Sequence, residues 1–471
     1  MNRPLVHPKR RGCGRAGRVA AVLFAVAGLL LAPKSAWAVP SFARQLNVSC
    51  IVCHTEYPLL TDFGRQFKLG GYTLSAEQTR MPPLAVMLQP SYTHTSTGQP
   101  GGAAPGFGDN NNAALTQASI FYAGRLLGPY AKDLLGSNLA AFVNKIGVFA
   151  QVTYDGIGKT WAWDNTEVRY ASAGAFGRHP ASYGFYANNN PTMQDPWNST
   201  PAWGFPFTGS GLAPSPAAAT MIDGGLAQQV AGVGAYAMID NAVYLDVAGY
   251  HTFGARLQKS LGVDPAGEAQ IGGLAPYWRL AHTALVGGGA WEVGIFGLAA
   301  NTYPGRDASE GRDRTVDYGF DTQYQVTKLN YDVTAMASWI YERQTWSASR
   351  ALGEVENATN HLGNFKATVS YLRAKTYGVT AQYFNTRGSA DALLYPDSPS
   401  NTPDSAGFIF QLNYLPLNHG GGPAFWPRSN VKFALQYIDY LKFDGARHDY
   451  DGSGRNARDN NTVYAEAWIL F

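Results

Sequence analysis

From Pro83 to the end of the chain, hydrophobic and polar positions alternate one by one within short segments. Near the carboxyl end, for example, Val431 and Phe433 fall on one parity, whereas Lys432 and Gln436 fall on the other. Because successive side chains of a β-strand point to opposite faces, this period of two predicts strands with one apolar and one polar face. Loops rich in Gly, Asn, Asp, Ser and Pro separate the segments, and such loops favour turns.

The alternating segments number sixteen, to within about two strands, and most are about ten residues or longer, enough to cross a membrane at a tilt. An even number of strands is typical of bacterial single-chain barrels. We therefore predict an all-β fold: a 16-stranded antiparallel outer-membrane β-barrel, porin-like, over residues 83–471. The predicted strands are 84–95, 113–126, 145–155, 163–172, 182–189, 226–238, 241–251, 275–285, 289–300, 315–326, 329–342, 362–373, 376–388, 405–416, 430–442 and 462–471.

Two further features agree with a membrane barrel. The last strand ends in Phe471, and a terminal aromatic residue resembles the signal by which outer-membrane barrels are recognised. The connection from Asn190 to Gly225 is long enough to fold over or into the mouth of the barrel. The alternative, a soluble sandwich or propeller, lacks a blade-sized repeat here, and open sheets in water would need protected edges.

The composition favours a surface that does not face water. Charged residues make up 15% of the chain, against about 25% in an average soluble protein, and aromatic residues reach 13%. Outside the first 38 residues, no apolar run approaches the roughly 20 residues that a membrane helix needs. The lipid of the outer membrane is therefore the partner that we expect around the barrel.

Residues 1–38 have the pattern of a secretory signal peptide. A basic start is followed by an apolar run over 19–32 and by the small residues Ala36 and Ala38. Its removal takes away seven basic residues and no acidic ones, so the formal net charge changes from +3 to −4. The mature chain is not basic, and we expect no nucleic-acid partner. We predict export to the outer membrane of a Gram-negative bacterium.

Both cysteines that remain after the signal lie in the sequence CIVCH, as Cys50 and Cys53, and His54 follows directly. This spacing is typical of covalent attachment of one c-type haem, with the histidine as an iron ligand. A disulfide-exchange pair would need a strand leading into the motif, and zinc would lack a complete tetrahedral set. We predict that residues 39–82 form a small helical monohaem cytochrome c plug, because so short a segment buries a haem only with help from the wall.

The order of these features resembles a known family. An FAR lead into one CxxCH, a following FGRQFKLGGY stretch over 63–72 and a sixteen-strand pattern ending in Phe471 resemble the fused cytochrome–porin family of outer-membrane iron oxidases. The resemblance implies that Cys50 and Cys53 attach the haem and that His54 is its proximal ligand. It further implies an extracellular electron donor, Fe(II) or another reductant, and a periplasmic c-type cytochrome as the acceptor.

The second axial ligand of the haem is not fixed by the motif. Met87 is the first candidate, since its parity on the first strand points inward with Gln89. Met81, in the loop before that strand, and His94, on the outward parity near its end, are the alternatives, and the position can also be open. Methionine ligation raises the haem potential, which suits a weak reductant.

The function that we predict is electron transfer without bond-making chemistry, in the manner of an iron:cytochrome oxidoreductase. Three acidic residues on the lumen parity, Asp246, Glu292 and Glu466, could attract a cation. Two alternatives stay open: a porin-type channel whose haem-bearing plug gates or senses, and an outward electron conduit. A conduit would need further haems from a partner, because one haem spans an apolar band of about 25 Å poorly.

Overall fold

The computed structural model describes residues 41–46, 48–74, 82–198, 208–263, 270–418, 422 and 429–471. In this part of the chain, sixteen long antiparallel strands form a single sheet in which each strand pairs with its neighbours along the chain. The sheet is closed, because the first strand also pairs with the last, from Met87 opposite Leu470 to Thr95 opposite Thr462. The predicted signal peptide, residues 1–38, lies outside the described residues.

All sixteen strands occur at the places that the alternation predicts. A two-residue strand, Gln270–Ile271, is added beside them. The long strands are β1 Leu84–Thr95, β2 Asn112–Arg125, β3 Ile146–Asp155, β4 Thr160–Phe176, β5 His179–Asn188, β6 Val230–Ile239, β7 Val243–Thr252, β8 Ala275–Val286, β9 Gly289–Tyr303, β10 Asp313–Thr327, β11 Tyr331–Thr345, β12 Thr359–Arg373, β13 Tyr377–Gly388, β14 Ser405–Tyr414, β15 Asn430–Lys442 and β16 Thr462–Leu470.

The largest differences from the prediction lie at strand ends. The strand β4 extends to Phe176 rather than 172, because a two-residue turn containing Gly177, at φ +64°, continues the hairpin directly into β5. The strand β6 begins at Val230 rather than 226, because Gln228 adopts φ +61° in a turn that ends only there. Both boundaries are set by backbone turns, which the alternation of hydrophobic and polar residues does not predict.

The two ends of the barrel differ. At one end, five connections are turns of two or three residues: 177–178, 240–242, 287–288, 328–330 and 374–376. We call this the turn end, and it also holds the start of β1 and the end of β16. The other end carries most of the longer connections and is called the loop end, although the connections 126–145 and 415–429 lie at the turn end. Short turns face the periplasm and long loops face outside in barrels of this type.

The two faces of the wall differ as sharply as the ends. Val247, Leu412 and Val369 point outward and are 60%, 55% and 53% exposed. Inward positions carry polar side chains such as Gln382 and Gln411, which are buried. In a closed cylinder, the backbone hydrogen bonds of every strand are made with its neighbours and need no water, and here the outer face is apolar. The chain therefore crosses the outer membrane as a β-barrel.

The described chain also contains five α-helices: α1 Ser41–Leu46, α2 Asp62–Leu69, α3 Ala131–Val143, α4 Ala255–Ser260 and α5 Ala348–Ala351. None of the described helices is long and apolar enough to cross a membrane. The first two belong to residues 41–46 and 48–74, which we call the N-terminal segment. This segment touches inward-facing residues of the wall near the turn end, for example through the hydrogen bond from Tyr236 to the carbonyl oxygen of Leu69.

Candidate functional site

The CIVCH sequence forms a single tight turn. Residues Cys50–Val52 make one 3-10 turn, and the N–H groups of Cys53 and His54 both donate to the carbonyl oxygen of Cys50, at 3.2 and 2.9 Å. The turn therefore gathers both thiols and the imidazole within five consecutive residues. Neither cysteine is part of a disulfide in the described chain.

The helix α2 packs directly on this turn. Thr61 caps the helix by accepting from the N–H of Gly64, and its hydroxyl donates to the carbonyl oxygen of Val52 at 2.6 Å. A Cβ atom at Gly64 would lie 2.2 Å from the carbonyl oxygen of Cys53, so the close approach requires glycine. The FGR sequence after the motif thus serves to fix α2 against the cysteines.

The N-terminal segment is joined to the wall at several points. Tyr57 packs edge-on against Trp468 of β16, with ring centroids 5.4 Å apart, and donates to its carbonyl oxygen at 3.3 Å. Tyr72 donates to Glu167 of β4 at 3.2 Å. These contacts join the N-terminal segment to the inner face of the wall, and the plug role of this segment stays a prediction.

A loop from the opposite end meets the N-terminal segment inside the barrel. The connection between β5 and β6, residues 189–229, is described except for 199–207. Its carbonyl oxygen at Asp195 accepts a hydrogen bond from the buried ammonium group of Lys68 at 2.7 Å, and Asn198 donates to the carbonyl oxygen of Pro58 at 3.3 Å. The expectation that this connection folds into the mouth is confirmed.

A cavity of about 400 Å³ lies between the N-terminal segment, the wall and this loop. Cys50, Cys53, His54 and Met87 all line it, although Met87 comes from β1 rather than from the N-terminal segment. Its lining is mainly apolar. Further lining residues are the aromatic Phe42, Tyr57, Phe67, Tyr72, Phe121 and Trp468. Apolar clefts of a few hundred Å³ with a few convergent polar groups are typical of cofactor sites.

The electrostatics of the turn do not favour thiolate chemistry. Burial raises the pKa of Cys53 to about 12 and also raises the pKa of Cys50. A disulfide-exchange cysteine instead needs a lowered pKa. Burial lowers the pKa of His54 to about 4, which keeps the imidazole neutral at ordinary pH, the form that binds metals.

The residues that could hold a haem are therefore brought together. Two thiols at the attachment spacing and an imidazole share one cavity with a methionine sulphur. The Nδ1 atom of His54 is buried without a close hydrogen-bond partner within the described chain, although the backbone at Pro58 and Leu59 interacts with the imidazole. The donor set and the apolar lining both fit a covalently attached haem.

The three candidates for the second axial ligand lie in different places. Met87 is buried, at 4% exposure, and points into the cavity, where Gln89 donates weakly to its sulphur. His94 lies towards the loop end of β1, where it pairs with Asn111, and does not line the described cavity. Met81 is outside the described residues. The ligand role of Met87 stays a prediction.

Sequence reasoning missed Met193. It lies in the connection between β5 and β6, is 1% exposed and lines the same cavity. No alternation marks this residue, since it follows Pro191 in an irregular loop, and the length of the loop was the only signal. Met193 is thus a second methionine at the cavity.

The acidic residues assigned to the lumen parity, Asp246, Glu292 and Glu466, are buried and point inward. They are not free charges. Asp246 accepts from two tyrosines, and Glu292 pairs with Arg279 at 2.9 Å. Arg279 also pairs with Asp321 at 2.7 Å, and Asp195 of the inward loop lies 3.6 Å away. These residues mainly hold the loop and the wall together.

The closed wall and its apolar outside define the chain as an outer-membrane β-barrel protein. Solved structures to which it is similar are the Salmonella typhi OmpF complex with daunomycin (13% identity, TM-score 0.44, covering 82% of this chain and 97% of that chain), an anion-selective porin from Comamonas acidovorans (11%, 0.43, 82% and 98%) and OmpT of Vibrio cholerae in its trimer form (10%, 0.41, 82% and 98%). No protein-family model and no curated protein matches the chain. Similarities this distant carry no argument, and the class rests on the strand pairing itself.

Proposed function

We propose that this protein is an outer-membrane electron-transfer protein that carries one covalently attached haem. The observation that supports the proposal is the shared cavity of Cys50, Cys53, His54 and Met87, which lie up to 37 positions apart in the sequence. A haem bound there would supply one-electron redox chemistry. The chain itself would supply the thioether links, an imidazole ligand and a thioether ligand.

The surrounding residues would exclude water and fix the site. Phe42, Phe67 and Tyr72 form an aromatic cluster along the cavity, with Phe42 and Phe67 at 4.8 Å and Phe42 and Tyr72 at 5.3 Å. An apolar surround of this kind raises the potential of a redox centre by disfavouring its more charged form. Reduction by a weak extracellular donor then becomes feasible.

The loop that enters from the loop end would control access. Met193 and Asn198 bring it to the cavity, while Lys68 bonds it to the N-terminal segment. A donor that arrives from outside would meet this loop first. Fe(II), a donor that the family resemblance implies, is small enough for such a route, and keeping its oxidised product outside the cell would be the advantage of an outer-membrane site. A periplasmic cytochrome would take the electron at the turn end.

The attachment of haem is tested on the full chain, matured with the c-type attachment machinery and purified in detergent. We expect a mass increase of one haem and a c-type absorption spectrum, both lost in a Cys50→Ala, Cys53→Ala double variant that still forms the heat-resistant barrel. A control variant, Cys13→Ala, changes a cysteine of the predicted signal and retains the haem. Mature protein without added mass would refute the proposal.

The donor is tested by stopped-flow mixing of the oxidised protein with Fe(II). We expect rapid reduction of the haem absorption, followed by reoxidation with a soluble c-type cytochrome. A haem that stays oxidised for minutes at the growth pH would remove iron as the donor and leave the haem assignment standing.

A porin-type channel with a haem-bearing gate or sensor is the second candidate function, favoured by the polar inner wall of a sixteen-stranded barrel. It predicts conductance in planar bilayers that changes with the oxidation state of the haem. The electron-transfer proposal predicts turnover of electrons with small and constant conductance. The two functions can therefore be distinguished by measuring the bilayer conductance at two applied redox potentials.

A further inference from the structure

A buried lysine lies on β15, one strand away from the junction of β1 and β16, and next to the cavity. Lys432 of β15 is 0% exposed and stands opposite Trp468 of β16 in the strand register. Its Nζ atom lies 4.6 Å from the ring centroid of Trp468 and 5.5 Å from that of Tyr57, and it donates to the carbonyl oxygen of Tyr57 at 3.3 Å. Both rings line the cavity.

This ammonium group lacks the usual compensation for its burial. Lys366, Lys375 and Lys442 are the described lysines that form ion pairs, and Lys432 is not among them. Two buried acidic groups, Glu56 and Glu466, act on its charge through space without forming an ion pair with it. Removing a charge from water is costly unless it is paired, and ionisable residues held at membrane depth mark functional sites.

The position of Lys432 places its charge close to the proposed haem ligand, with the ring of Tyr57 between them. The ring of Tyr57, over which Lys432 lies, packs edge-on against the imidazole of His54 with centroids 6.5 Å apart. Interactions between charges in a dry interior are weakly screened. A fixed positive charge here would stabilise the reduced form of a nearby redox centre, which carries one electron more.

We propose that Lys432, partly offset by Glu56 and Glu466, is a positioning charge that sets the redox potential of this site. The inference deepens the proposed function and rests on it. The aromatic faces of Trp468 and Tyr57 stabilise the positive charge without neutralising it. A carboxylate at contact distance would neutralise it. Sequence alternation assigned Lys432 only to the wet face and gave no reason for its burial.

The test is a redox titration of the purified full chain, after its haem spectrum has been recorded. In Lys432→Met, we expect the equilibrium constant for reduction to fall about tenfold, which is a shift of about 59 mV to lower potential for one electron. Lys432→Arg keeps the charge and should stay near the wild-type potential. Lys328→Met removes an exposed lysine at the turn end and serves as the matched control. A Lys432→Met protein with intact haem and wild-type potential would overturn the inference.

A second variant tests the inference even if the Lys432→Met protein does not assemble. Glu466→Gln removes the opposing charge while keeping the acceptor for Thr208, and should shift the potential upward. An unchanged potential in that variant would also refute the role of this pair. Wild-type protein that carries no haem would instead refute the proposed function, and the inference with it, so the two failures are distinguishable from the first spectrum.

Discussion

At the scale of single residues, the cavity contains two methionines, whereas the proposed haem would take only one as its second axial ligand. Met87 is on a strand and fixed by the register of β1, whereas Met193 is on a loop that enters the lumen. Because a strand fixes a ligand better than a loop, we expect Met87→Leu to abolish the spectral signature of methionine coordination and to lower the haem potential. Met193→Leu, of equal volume change, should retain both. The reverse result would assign Met193.

A second residue-scale prediction concerns the free thiols of the chain produced without haem attachment. Since the pKa of Cys53 is raised to about 12, the thiol stays protonated at neutral pH, and thiolate forms only as the pH rises towards that value. We expect alkylation of Cys53 by iodoacetamide at pH 8 to be more than about a hundredfold slower than that of free cysteine. Rapid labelling at neutral pH would support a disulfide-exchange role instead.

At the scale of elements, the fit of the N-terminal segment to the wall depends on glycine. A Cβ atom at Gly147 of β3 would lie 1.6 Å from the carbonyl oxygen of Gly71, so the two backbones touch. We expect Gly147→Ala to cost about 1–3 kcal/mol and to expose the N-terminal segment to added protease while the barrel persists. Gly363→Ala on β12, where the nearest atom is 3.8 Å away, is the control. Equal protease resistance of both variants would contradict this.

The elements also show what the sequence could and could not predict. Period-two alternation predicts every long strand because one face meets lipid and the other meets polar side chains. The CIVCH spacing and the parity of Met87 predict four of the residues that line the cavity: Cys50, Cys53, His54 and Met87. Met193 and Lys432 could not be predicted, because their importance comes from the proximity of segments more than a hundred residues apart in sequence, which no local pattern records.

At the scale of the whole molecule, the apolar outer face is the main evidence that the barrel lies in a membrane. Val247 lies in the middle of β7 and is 60% exposed, whereas Leu329 lies in a turn and is 89% exposed. We expect Val247→Arg to destabilise the barrel in lipid vesicles by about 2–4 kcal/mol and Leu329→Arg by about 0–1 kcal/mol. The measurement is the free energy of unfolding by denaturant. Equal losses would argue that the wall meets water.

The seam between β1 and β16 has a consequence for how the molecule is made. Tyr57 bonds to Trp468 across 411 positions of the chain, and Met87 faces the same junction from β1. Contacts of such long range form late in folding. A barrel arrested before its first and last strands pair would therefore lack a complete cavity. Closure of the barrel and completion of the proposed site would then be the same step. If the proposed haem binds in this cavity, a half-inserted chain would lack the finished redox site, and electron transfer would begin only once β1 and β16 have paired.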